Sequence, residues 1–309
     1  MTEQHSAWRA TGLYWTNQTP GIGLVDPSGT EHTHPVPPKT AVGYQLGEQR
    51  RCIGVWLARQ RRRRPCPFAH PIPPSATRAQ CDPCAASDPG RMFARNTAVD
   101  DGREYALYLA WFGPGLTKVG LTATERGTDR LAEQGALAFA WLARGRLPAV
   151  RTGEQRISAN GLAPERRQRR TKLATWGKLP DQTQRQEQLS AAYQQITDTV
   201  PWPPGLGRET CAVVDLVALF GLDAFPDSCQ EITTLASGAV LSGTVRCVIG
   251  RELLLDTPDG PLLTDTRLLA GWPLHPSTAA PTGLELRAFD YTQNNYAHSS
   301  HDTAQPALF

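Results

Sequence analysis

Long apolar runs are missing from this chain of 309 residues. No segment approaches the roughly 18 to 20 uninterrupted apolar residues that a membrane span needs, so a membrane partner is not expected. The first residues, MTEQHSAWRATG, have neither the basic head nor the apolar core of a secretory signal. The expectation is therefore a cytoplasmic location with reduced thiols. A nucleophile elbow, a dinucleotide fingerprint and a phosphate-cradling P-loop are also absent, and the chemistries they carry have no motif here. The seven histidines show no ligand spacing. His32, His34, His70 and His275 lie in proline-rich loops, and His298 and His301 near the C-terminus. No internal repeat is visible.

Charge is abundant but unevenly placed. The net charge is +3, yet residues 211–309 carry 4 Lys+Arg against 11 Asp+Glu, while residues 1–210 carry 28 against 18. A basic first two-thirds suggests contact with a polyanion, whereas an arginine-rich composition alone is the plainer explanation. Of seven cysteines, Cys52, Cys66, Cys81 and Cys84 share a short window. Cys211, Cys229 and Cys247 stand apart, where buried structural thiols are the ordinary expectation.

Five segments follow from the patterning. Residues 1–56 hold short β-like runs, Trp8–Tyr14, Gly21–Val25 and Val42–Leu46, between turn signals, and predict a small antiparallel unit. Residues 57–100 are basic, cysteine-bearing and poor in apolar groups, so they need another source of order, such as a metal. Residues 101–205 read as strand, turn, strand, helix, then further helices, including one over Gln182–Thr197. Residues 206–276 look β-rich, with a hairpin turn at Pro258-Asp259-Gly260. Residues 277–309 read as a disordered polar tail. The fold class expected is α+β.

Three groups of residues carry chemistry. Cys81 and Cys84 form a C-x-x-C knuckle, and Cys52 and Cys66 can complete a tetrahedral zinc site, with His70 as a possible replacement for one of them. A redox pair lacks its βαβ context, and four unrelated cysteines are the bland alternative. Arg61, Arg62, Arg63 and Arg64 repel one another unless an anion neutralises them. Arg166, Arg167, Arg169, Arg170 and Lys172 form a second cluster, read as helical. Two basic clusters favour DNA or RNA over a small anion, although a solvated loop or helix face explains each singly.

The third group lies in Tyr105–Gly135, YALYLAWFGPGLTKVGLTATERGTDRLAEQG. Two apolar runs flank Gly113-Pro114-Gly115, and a helical segment with Arg126 and Arg130 follows. LYLA, then KVG, then Arg130 resembles the GIY-YIG nuclease superfamily. GLTKVGLT with DRLAEQGA looks more closely like the bacterial domain-of-unknown-function family DUF 2797, over about Cys52 to Trp272. The resemblance implies a small mixed sheet with helices and metal-dependent phosphodiester hydrolysis. Tyr108 matches its first-strand tyrosine, Gly120 its second-strand glycine, and Arg130 the arginine set against the scissile phosphate. Glu154 matches its metal-binding glutamate, for Mg²⁺ or Mn²⁺, and Asn160 is a candidate for a distal polar role. Lys118 stands where a typical member has tyrosine; it can help deprotonate water or simply grip phosphate. Tyr108 as a core aromatic, Arg130 as a surface charge and Glu154 paired with Arg151 or Arg156 are the plainer readings. The expected function is a nucleic-acid-binding, metal-dependent endonuclease. A non-catalytic binder or a small-molecule enzyme on the same scaffold are the alternatives.

Overall fold

A computed structural model describes residues 8–60, 62–94 and 100–290. It is an α+β protein with several sheets, divided into two compact units. Among the described residues, no helix is long and apolar enough to cross a membrane.

The first unit joins residues 8–94 to residues 228–290. Its N-terminal meander, Arg9–Thr16, Thr19–Val25 and Glu31–Pro35, is antiparallel throughout. The first turn is made by Asn17 and Gln18 at φ +49° and +61°, the positive values a tight two-residue hairpin demands. Ala41–Leu46 leaves that meander and pairs with the long strand Ser228–Ile249, at Val240–Thr244. The end of that long strand pairs with Glu252–Thr257, and its beginning runs parallel to Gly260–Asp265 at Gln230 and Glu231. Since Glu252–Thr257 and Gly260–Asp265 also form a hairpin, the sheet closes on itself around Leu241, Cys247, Leu253, Leu255 and Leu263. Arg50 ties the cysteine segment to this body. It is buried, and it donates to the carbonyls of Pro73, Pro74, Ala76, Ala270 and Arg267.

Three expectations about segments change here. Residues 1–56, 57–94 and most of 206–276 are not separate modules, because Ala41–Leu46 finds its partner strand two hundred residues away. A three-strand meander buries one face at most, so such a partner is needed. Residues 206–227 belong instead to the second unit. The tail expected from residue 277 contains the strand Thr282–Asp290, held by Ser228–Ile249; its residues 291–309 lie outside the described residues. Residues 228–290 of the acidic end thus share one unit with the arginine-rich segment, so the asymmetry along the chain is not one between bodies.

The second unit covers residues 100–227. Glu104–Trp111 and Thr117–Ala123 form the expected hairpin, turned by Gly113-Pro114-Gly115 with Leu116 N–H donating to Gly113. Ala138–Arg146 pairs on the other side of Glu104–Trp111 and carries Leu206–Arg208 and Val214–Asp215 on its outer edge. Helix Leu147–Ala159 lies close on this sheet because Gly153 has no side chain: an added Cβ would sit 3.2 Å from Leu107 and Leu206. Helix Gln182–Thr199 starts where expected, ends two residues beyond the expected Thr197, and is capped by Asp181, which accepts from Gln184 N–H. The expected helix through the second arginine cluster is broken. Asn160 ends Leu147–Ala159, Gly161 has φ +71°, and only Arg169–Leu173 is helical again.

Candidate active site and metal centre

Register places the candidate catalytic residues. Tyr108 lies opposite Gly120, and Lys118 stands two residues before Gly120, on the same face. Gly120 has no alternative: a Cβ there would meet the Tyr108 phenol oxygen at 2.3 Å. Lys118 Nζ donates to Tyr108 Oη at 3.3 Å and to Gln134 Oε1 at 2.5 Å. Gln134 Nε2 donates to the same phenol oxygen at 2.6 Å. Trp141, across the neighbouring strand pair, meets the Tyr108 ring edge-on.

The following helix, Gly127–Glu133, carries Arg130, and Gln134 is its C-cap, four residues on and on the same face. Sequence reasoning missed Gln134; its spacing from Arg130 and the Gly135 after it were the available signals. Arg130 and Arg126 both pair with Glu133, at 3.3 and 2.6 Å. Glu133 therefore holds two guanidinium groups at the helix end.

Glu154 lies on Leu147–Ala159, with 8% of its surface exposed. It forms no hydrogen bond or ion pair among the described residues, so the expected pairing with Arg151 or Arg156 is not made. Burial pushes its carboxyl up to about 7, helped by the charge of Glu165 and opposed by Lys118, Arg151 and Arg166. Those influences connect Glu154 to the Lys118 cluster. The stretch after the helix runs beside the Lys118 strand, with Val119 N–H donating to Pro164 and Arg167 to the Thr117 carbonyl. Asn160 is exposed, and its side chain donates to the carbonyl of Arg156 at the end of the helix.

In the first unit the Sγ atoms of Cys52, Cys66, Cys81 and Cys84 all lie within 4.8 Å of one another, with no disulfide. Backbone N–H groups of Gly54 and Cys81 point at Cys52 Sγ, at 3.4 and 3.3 Å, as donors to a thiolate would. Gly54 has φ +71° and lies against the Arg64 carbonyl, where a Cβ would come within 2.1 Å. Burial pushes the Cys52 thiol up to about 11. Burial also opposes ionisation of Cys66, but donors from His70, Phe68, Cys52 and Cys81 bring it down to about 7. Four such sulfurs fit a metal ion that wants thiolates in a tetrahedron. His70 is not one of the set; its ring lies against Phe68.

A family model described as "Protein of unknown function (DUF2797)" matches residues 43–274. The chain belongs to this family. No curated protein matches it, and no solved structure does. The DUF2797 match contains all four cysteines and the whole Tyr108–Glu154 cluster, and stops before strand Thr282–Asp290.

Within this DUF2797 chain the basic clusters divide by environment. Arg61 lies outside the described residues. Arg62 and Arg64 are exposed on one side of strand Arg62–Arg64, bonded to Gln60 and Ser87. Arg63 turns inward between them, is buried, pairs with Glu31 and reaches Tyr14. It is a core ion pair and not the nucleic-acid contact expected of it. Arg166 and Arg170 are exposed, and Arg167 and Arg169 half-buried. Lys172 donates to the Gln134 carbonyl and lies 4.6 Å from the Phe112 ring centroid. That clip ties the helix Arg169–Leu173 to the end of Gly127–Glu133. Cys211 is exposed, while Cys229 and Cys247 are buried as expected.

Proposed function

We propose that this chain binds DNA or RNA and hydrolyses its phosphodiester bonds, on a scaffold of the GIY-YIG kind. The observation that carries the reading is Glu154: a buried, unbonded carboxylate under the influence of Lys118, Arg151 and Arg166. Such a group weakens the fold unless a ligand uses it, and perturbed groups of this type concentrate at functional sites. Arg130 and Arg126 would release Glu133 to meet the phosphate and its developing charge. Lys118 grips a phosphate oxygen, and Tyr108 orients the attacking water. As the water oxygen bonds to phosphorus and the P–O bond to the leaving group breaks, Glu154 takes the water proton and solvent protonates the leaving oxygen. Glu154, with the charge of Glu165 adjoining, fits Mg²⁺ or Mn²⁺; with such an ion bound it would be a ligand in place of the base, the ion would supply Lewis acidity, and the water proton would go to solvent.

The cysteine set fits Zn²⁺ as a structural ion, ordering a segment that has few apolar residues. Reduced thiols of this type belong to the cytoplasm. Arg62, Arg64, Arg166 and Arg170 supply backbone contacts that read little sequence. A screen of structured DNA and RNA with Mg²⁺ and Mn²⁺ tests the reading. Cleavage lost in Glu154→Gln and Arg130→Ala supports it. Salt-sensitive binding with no cleavage by any form supports a non-catalytic binder instead, a reading favoured by Lys118 in the tyrosine position.

A further inference from the structure

We infer that Gln134 is a positioning residue that fixes the Lys118 ammonium and the direction of the Tyr108 hydroxyl proton. The inference rests on the reading of this cluster as a phosphodiester site, but its geometry is separately testable.

The amide orientation follows from chemistry. A lysine ammonium has donors and no acceptor, so the group facing Lys118 Nζ must be the amide oxygen. At 2.5 Å that contact is a strong one. The amide nitrogen then necessarily faces Tyr108, at 2.6 Å. Lys118 itself donates to the same phenol oxygen at 3.3 Å. The Tyr108 oxygen thus receives two donors, which occupy both of its lone pairs. Its own hydrogen has no acceptor among the described residues; Tyr108 is buried in the core at 1% exposure, as its plainer reading expected, so an oxygen that accepts this hydrogen must enter a closed site. Sequence placement alone gives none of this.

Gln134 can act this way because its backbone is immobilised. It caps Gly127–Glu133, its N–H donates to Leu131, and Gly135 follows at φ +66°. Lys172 Nζ holds its carbonyl at 2.8 Å. A side chain on so fixed a stem holds two partners at defined places, as preorganised sites require.

Two variants separate positioning from packing. Gln134→Leu keeps most of the volume and removes both bonds. Gln134→Glu keeps the shape and the Lys118 contact, but turns the donor toward Tyr108 into an acceptor. The Tyr108 proton would then point inward, away from the ligand. The first measurement is acetylation of Lys118 by an amine-reactive reagent on the full chain. It is read by mass spectrometry against Lys39 and Lys178, which are exposed. Labelling of Lys118 is expected to rise at least threefold in Gln134→Leu and to fall in Gln134→Glu. The second measurement is kcat and KM for whichever strand the wild type cleaves. Gln134→Glu is expected to lower kcat at least thirtyfold with KM changed less than threefold, and with its melting temperature not lowered. Unchanged Lys118 labelling in Gln134→Leu, or wild-type kcat in Gln134→Glu, would overturn the inference. If the wild type cleaves nothing, the function proposed above fails, and the labelling alone still decides whether Gln134 holds Lys118.

Discussion

Replacing Glu154 by glutamine should make the metal-free protein more stable at pH 8 and catalytically dead. An unfolded glutamate titrates near its ordinary value, about 4.3, whereas in the fold burial and Glu165 push Glu154 up to about 7. The folded state therefore binds the proton more tightly, and stability falls as pH rises between those two values. Below about pH 4 both states are protonated, and the penalty vanishes. Above about pH 7 it is complete, on the order of 3 kcal/mol from a gap of between two and three pH units. Glutamine has the same shape and no charge to bury, so it escapes the whole penalty. For a unit of this size that is roughly 10 °C in melting temperature. The assay is thermal unfolding of both proteins in chelator, from pH 4.5 to 8.5. The gap should open with rising pH and narrow again when Mg²⁺ or Mn²⁺ is added, because only the carboxylate binds it. Parallel melting curves at every pH would refute the argument, as would a glutamine variant that is less stable at pH 8.

Three further outcomes follow from contacts in the two units. Gly120→Ala forces a carbon to 2.3 Å from the Tyr108 oxygen, so it should displace the phenol, cost about 1 to 3 kcal/mol by denaturant titration, and abolish cleavage. Purified protein should contain one equivalent of zinc by elemental analysis, and a chelator or Cys84→Ser should lower its melting temperature; metal-free protein of equal stability would remove the site. Arg63→Ala should destabilise by about 1 to 3 kcal/mol, because it leaves the part-buried Glu31 without its partner. Arg62→Ala and Arg64→Ala should leave stability within about 0.5 kcal/mol and reduce the salt dependence of nucleic-acid binding. Reversal of that order would mean that Arg63 is not a core residue.

What was legible in the chain was local. The Gly113-Pro114-Gly115 hairpin, the turn before Gly260 and the helix from Gln182 each rest on residues close in sequence, and each forms about where the spacing puts it. The four cysteines were legible for another reason, since thiol chemistry narrows what such a window can do. Long-range pairing was not legible. Val42–Leu46 has the alternation of any half-buried strand, and nothing in it names Val240–Thr244 as its partner. Arg63 looked like its neighbours because a run of arginines hides strand alternation; only the partner Glu31 shows which one turns inward. The break at Gly161 was written in Asn160-Gly161, but the arginines after it looked helical by charge spacing alone.

In the proposed reaction Glu154 consequently matters more than Lys118. From sequence, a lysine in the tyrosine position raised the question of which base activates water. In the fold, Lys118 gives its hydrogens to Gln134 and Tyr108, so it acts as a donor that shapes the phenol. The acceptor in the same neighbourhood is the Glu154 carboxylate, which no group among the described residues satisfies. A site with lysine and glutamine holding tyrosine needs no second phenol, provided that the glutamate keeps its proton affinity near neutrality. Gly153, the residue before Glu154, lets their helix lie close on Leu107 and Leu206, and burial is the main cause of that affinity. Opening that packing with a larger residue at Gly153 should therefore weaken cleavage without touching any residue of the cluster.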